Sequence, residues 1–232
     1  MNYLKYFPVV LVFFAQVNGG DNRIMREIKY DNGQLKERYY VKIDAQGNEI
    51  KDSLSTDWYK NGKKKIVCTF KNGKVEGLAT QWYENGQKSF ENTWKNGVLE
   101  GPATEWYENG QRKQVNAAKN NGYEGLYTRW YKNGQKKEER TYKDGKEEGL
   151  STHWYENGLK EECGTFTGGK YEGLYTFWYD NGHKKAELTY KNGVKLSGTM
   201  WYDKGQKKGV ATFKDEKVVS QTDWDENGNV IK

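Results

Sequence analysis

The chain has 232 residues, and its 38 Lys and Arg against 32 Asp and Glu leave a net charge of +6, enough length for one large domain or two small ones. Leu, Ile, Val and Phe number only 40, a share below the ~20% that marks disordered chains, yet aromatics reach 15% with nine Trp and 18 Tyr, which disordered chains lack. That balance excludes a thick aliphatic globule and favours a thin, aromatic-rich sheet; two His, two Cys and no nucleophile motif argue against an enzyme.

Residues 1–19 read as a secretory signal peptide. Lys5 precedes an apolar run from Tyr6 to Ala15, broken by Pro8, and Val17-Asn18-Gly19 offers a cleavage site. The run is shorter than the ~20 residues a membrane helix needs, and nothing after it is apolar enough to span. No Cys stands near the cut, so a lipoprotein is not expected. The expectation is a secreted, periplasmic or cell-envelope protein that begins near Gly20.

Residues 20–57 contain a degenerate leading copy, Lys29-Tyr30-Asp31-Asn32-Gly33, and read as an N-terminal cap. Seven repeats follow over 58–223. Trp-Tyr recurs at 58, 82, 106, 130, 154, 178 and 201, with steps of 24 and finally 23 residues. Thr stands two residues before the Trp of every Trp-Tyr pair and before Trp224, from Thr56 and Thr80 to Thr199 and Thr222. Residues 224–232 are a half repeat opened by Trp224-Asp225. Atypical terminal copies are how repeat arrays close their ends.

Each repeat carries two Asn-Gly-type turns, as at 85–86 and 96–97. Read as two-residue type I′ loops, they leave strands of about eight to ten residues. The expected fold is all-β: an elongated antiparallel β-meander of double-hairpin repeats, a single twisted layer. In the third repeat, Asn116 to Gly122, the turn reads as displaced by one residue. Alternation puts Leu78, Thr80, Trp82 and their equivalents on one face, with a second Thr such as Thr93. The other face receives the Tyr of each Trp-Tyr pair, the aromatic before each second turn, and the first Lys after each first turn.

The pattern resembles the bacterial MORN repeat variant. Gly125-Leu-Tyr-Thr-Arg-Trp-Tyr-Lys-Asn-Gly-Gln-Lys-Lys137 and Thr141-Tyr-Lys-Asp-Gly-Lys-Glu-Glu-Gly149 carry the resemblance, which extends over roughly residues 28–232. It departs from the pattern where Gly77-Leu78-Ala79 lacks a second glycine. The resemblance implies a non-catalytic meander used as an interaction or membrane-proximal surface, and some relatives bear an antitoxin label. The Trp-Tyr pairs are also similar to choline-binding cell-wall repeats, although those run nearer twenty residues and carry a Gly-Trp step absent here.

The candidate ligand-binding residues are Tyr83, Tyr107, Tyr131, Tyr155 and Tyr179, flanked by Lys88, Lys136, Lys160 and Lys184 on the same face. Tyr buries large area and keeps a polar tip. The expected partner is a protein; an envelope glycan or an anionic lipid surface is the alternative, and export disfavours nucleic acid. Acidic residues such as Glu76, Glu124 and Glu172 are expected to pair with the lysines across hairpins. His153 and His183 occupy different slots, so neither a metal site nor a cofactor is expected. Cys68 and Cys163 lie about eight strands apart, nearly 40 Å at ~4.8 Å per strand, and are expected as separate thiols.

Overall fold

The computed structural model describes residues 10–11 and 22–231. The expected signal peptide therefore falls outside the described residues, apart from Val10–Leu11. The chain divides into two compact bodies, Met1–Gln111 and Arg112–Lys232. No helix occurs among the described residues, and none is long and apolar enough to cross a membrane.

The N-terminal body holds β1 (Val10–Leu11), β2 (Ile24–Lys29), β3 (Leu35–Ile43), β4 (Glu49–Lys51), β5 (Ser53–Trp58), β6 (Lys64–Lys71), β7 (Lys74–Trp82), β8 (Lys88–Lys95) and β9 (Val98–Trp106). The C-terminal body holds β10 (Arg112–Lys119), β11 (Gly122–Trp130), β12 (Lys136–Lys143), β13 (Lys146–Glu147), β14 (Gly149–Trp154) and β15 (Lys160–Thr167). It continues with β16 (Lys170–Trp178), β17 (Lys184–Lys191), β18 (Val194–Trp201), β19 (Lys207–Lys214) and β20 (Lys217–Asp223). Within each body, successive strands pair antiparallel as a meander, β6 with β7 and β7 with β8, β15 with β16 and β16 with β17. The expected all-β repeat meander is what forms. Few large side chains are fully enclosed: among the described residues, Val41 alone of them is under 2% exposed.

The second turn of each repeat is the type I′ loop expected. Asn96 and Gly97 both have positive φ, 52° and 77°, and Lys95 pairs with Val98. The third repeat keeps this register. Lys119 pairs with Gly122, and Asn120 and Asn121 take the two left-handed positions at 52° and 65°. The displacement read from Gly122 is therefore corrected: Asn tolerates the left-handed region, so the turn stays in place without its glycine.

The first turn differs from expectation. Gly86 N–H donates to Tyr83 O at 2.9 Å and Tyr83 N–H donates to Gln87 O at 2.8 Å. Gly86 is left-handed, with φ 95°, which makes a three-residue loop with a glycine bulge. Register shifts by one beside it, so that Lys88 pairs with Trp82 while Gln81 pairs with Phe90. Only the residues next to the loop change sides. The first Lys of each repeat thus stands on the Trp face, and its expected place beside Tyr is corrected. A further bulge lies in the Glu-Gly step before Leu78, Pro102, Leu126, Leu150 and Leu174, with Gly77, Gly101, Gly125, Gly149 and Gly173 at positive φ. Across it the pairing moves by two, from Val67–Thr80 to Thr69–Glu76. An even shift keeps every side chain on its face.

Candidate functional site

Both margins of the sheet are held by contacts that reach from one repeat to the next. At the first turns the Tyr hydroxyl donates to the following repeat's Trp carbonyl: Tyr59 to Trp82, Tyr83 to Trp106, Tyr131 to Trp154 and Tyr155 to Trp178, at 2.7 to 2.8 Å. The turn Asn works twice. Asn85 Oδ1 accepts from Gln87 N–H at 2.9 Å, while its Nδ2 donates to Glu108 O at 2.8 Å. At the opposite margin Glu76, Glu124, Glu148 and Glu172, each in a Glu-Gly step, accept a turn amide of the next repeat. Asn96 N–H reaches Glu76 Oε2, and Asn192 N–H reaches Glu172 Oε2, both at 2.7 Å. These carboxylates hold turns rather than the lysines that were their expected partners.

The Trp face is nearly the same in every repeat. Thr56–Val67, Thr80–Glu91, Thr128–Glu139, Thr152–Cys163 and Thr176–Glu187 pair along one row, and these Thr are all buried. Beside it run Leu54–Thr69, Leu78–Thr93, Leu126–Thr141, Leu150–Thr165 and Leu174–Thr189. These leucines are exposed, by 46% at Leu54 to 60% at Leu150. Lys88, Lys136 and Lys184 form ion pairs with Glu91, Glu139 and Glu187. Together with Lys160, they lie over the next repeat's Trp ring, 5.7 to 5.8 Å from its centroid.

The candidate Tyr and Lys residues therefore do not form one surface. The Lys stand on the Trp face. The rings of Tyr83, Tyr131, Tyr155 and Tyr179 run along the margin, with their hydroxyls committed to backbone carbonyls, and Tyr107 occupies the same slot with its backbone in the same loop.

The opposite face differs at almost every repeat. One row reads Asp57–Ile66, Gln81–Phe90, Arg129–Glu138, His153–Glu162, Phe177–Ala186 and Met200–Gly209. The next reads Ser55–Cys68, Ala79–Asn92, Tyr127–Arg140, Ser151–Gly164, Tyr175–Leu188 and Gly198–Ala211. Burial raises the Cys68 thiol above its ordinary value, and both cysteines are free thiols.

In the C-terminal body this varied face is hollowed. A cleft of about 320 Å³ is lined by Arg140, Glu147, Ser151, His153, Glu162, Phe166, Gly169, Tyr171 and Tyr175. Arg140 bonds Glu147 from Nη1, and from Nη2 it reaches Glu138 Oε2 at 3.1 Å and His153 Nε2 at 2.8 Å. His153 Nδ1 lies 2.9 Å from Glu162 Oε1. His183 lies apart from this group, with Nδ1 at 2.7 Å from Asp203 O. Phe166 and Tyr171 pack at 4.7 Å between centroids, and Tyr171 stacks on Tyr190 at 4.9 Å. The His153 hydrogen bond holds the Glu162 carboxyl below its ordinary value. Burial, then Glu162, raises the Tyr175 hydroxyl. Burial and Glu138 push Tyr127 up to about 12. Burial opposes the Arg140 charge, yet Glu138 and Glu147 raise its value.

Sequence reasoning passed over this cluster. Its signal was present in the departures from the repeat at Tyr127, Arg140, His153, Gly164 and Tyr175, which only the register brings to one place.

A family model described as MORN repeat variant matches residues 51–72, 75–96, 99–116, 123–144 and 171–192. No curated protein matches the chain.

Proposed function

We propose that this chain of MORN-variant repeats is an exported, non-catalytic scaffold whose varied face recognises a protein partner. Repeats of this family are generally protein- or membrane-binding modules, and the departure of one face from repetition carries the reading here. A face needed only to hold the sheet would favour the same residues in each repeat, as the Thr row shows. Different Tyr, Arg, His, Phe and Glu side chains at equivalent positions instead make a non-repeating surface, and Tyr and Arg are enriched at interfaces. Export is supported by Lys5 and the apolar run that follows it.

Site-specific photocrosslinking in the envelope fraction tests both parts. Crosslinkers at Phe90 and His153 should capture one protein species that crosslinkers at Leu78 and Leu150 do not. Capture only from the leucine row would move the interface to the Trp face, and retention of glycan or lipid without protein would overturn the partner class. A toxin as the captured protein would narrow the function to an inhibitor. Amino-terminal sequencing of the exported form should begin near Gly20; a form that retains Met1 overturns cleavage.

A further inference from the structure

The cleft of the C-terminal body can be given a ligand chemistry. We propose that it anchors the cationic side chain of a partner, a lysine ammonium or an arginine guanidinium, an inference that rests on the varied face being the binding face.

The cleft is set apart by Arg140, His153 and Gly164, whose equivalent positions carry other residues in the sibling repeats. Where other hairpins place Ala79 against Asn92, these place Tyr127 against Arg140 and Ser151 against Gly164. Gly164 is what lets Tyr175 lie on the sheet, since an added Cβ would stand 1.9 Å from its Cδ2. No side chain could share that floor, and Tyr175 is only 3% exposed there.

Charge selects the sign of the ligand. Three carboxylates, Glu138, Glu147 and Glu162, face two guanidiniums, Arg129 and Arg140. Arg140 donates to His153 Nε2, and the other ring nitrogen, Nδ1, lies 2.9 Å from Glu162 Oε1. One negative charge is left over. Arg140 directs both terminal nitrogens and Nε at acceptors of the protein, so an incoming anion would have to displace one of them. Glu147 takes Arg140 and Tyr142 on Oε1 alone, and Oε2 retains lone pairs for a donor.

The walls suit a cation as well. Phe166, Tyr171 and Tyr175 pack edge and face within 4.7 to 6.1 Å of one another, and Tyr171 is 39% exposed. Electron-rich ring faces beside a carboxylate attract ammonium and guanidinium groups, more strongly where water is partly excluded. A rigid aromatic slot with a central charge is also the form that interface hot spots take.

The test is a nuclear magnetic resonance titration of the full chain with N-acetyl-arginine methylamide and N-acetyl-lysine methylamide. The neutral isostere N-acetyl-citrulline methylamide and N-acetylglucosamine serve as competitors. Saturable shifts at the Gly164, Gly169 and Tyr171 amides are expected with the cations, about tenfold tighter than with citrulline. Tyr171→Leu, at an exposed ring, and Glu147→Gln should each weaken the cations while leaving the amide spectrum folded. Equal binding of citrulline, binding of the sugar instead, or no shift overturns the proposal. If crosslinked partner capture persists undiminished in both variants, the cleft proposal fails while the binding face stands. If the cations bind but no partner is captured, the cleft chemistry stands and the protein-partner reading fails.

Discussion

The ring of Tyr175 lies across Gly164, one strand away, so that a Cβ built on the glycine would stand 1.9 Å from Tyr175 Cδ2. Gly164 itself is not in the left-handed region, unlike most glycines of the chain, so its role is space and not backbone freedom. Gly164→Ala should then force Tyr175 off the sheet and cost about 1–3 kcal/mol in urea unfolding. Gly122→Ala is the control. Its φ is also ordinary and its nearest neighbour, Lys119 O, lies 3.5 Å from the added carbon, so it should stay within about 0.5 kcal/mol of the parent. Equal effects at the two glycines would show that Tyr175 is not held by Gly164.

The margin contacts give a second expectation. Tyr155→Phe keeps the ring and removes only the hydroxyl that donates to Trp178 O at 2.7 Å. The half-buried carbonyl then loses its partner, which should lower stability by about 0.5–1.5 kcal/mol. Tyr171→Phe, whose ring makes the aromatic contacts of the cleft, should change stability less. If the two variants unfold alike in urea, the hydroxyls are not what ties successive repeats together.

Much of this fold was legible in the sequence because the repeat is strict. The Trp step and the Asn-Gly pairs set the hairpin repeat and the strand direction, and the Leu, Thr and Trp rows fall on one face as alternation requires. The first turn was not legible. Asn-Gly occurs in both loops, but Asn96 is left-handed in the two-residue loop while Asn85 bonds Gln87 N–H inside the three-residue one. The dipeptide alone cannot separate these states, and the error carried Lys88 and its equivalents to the wrong face. Glu76 and Glu172 looked like surface ion-pair partners because nothing local shows that a bulge at the following glycine aims them at a turn 20 residues away. The cleft required the register of five strands before Arg140, His153, Glu162 and Tyr175 could be seen together.

Stability should depend on pH at both ends. Glu162 is held below its ordinary value by the His153 hydrogen bond, so its contribution is present above the unfolded carboxylate range, about 4.3. It is lost as pH falls through the lower folded value. Tyr127, Tyr142, Tyr155 and Tyr175 are raised, with burial the largest cause at each. Their contribution is present below about 10, where unfolded tyrosine ionises, and fades as pH rises toward the folded values. Urea midpoints should form a plateau between about pH 5 and 9.5 and fall on both sides. Tyr175→Phe should flatten the alkaline fall; an unchanged slope would remove Tyr175 from the titration.

Each repeat holds its neighbour through backbone atoms, and this makes removal of a whole repeat the strongest test of the architecture. Tyr59 reaches the Trp82 carbonyl and Tyr83 the Trp106 carbonyl with the same geometry, both at 2.7 Å. Deleting Thr80 to Ala103 joins Ala79 to Thr104 and brings Trp106 to the place Trp82 held, one repeat from Tyr59. The acceptor for Tyr59 is a carbonyl, present whichever repeat supplies it. The joined strand keeps the nine-residue length of β7 and enters the Thr row with Thr104 in place of Thr80. A quasi-one-dimensional array loses one repeat and one interface in such a change, and the rest of its folding energy remains. The deletion protein should therefore keep a β-sheet circular dichroism spectrum and a cooperative urea transition at a lower midpoint. Loss of the spectrum altogether would mean that the N-terminal body folds as one cooperative globule whose repeats cannot be exchanged.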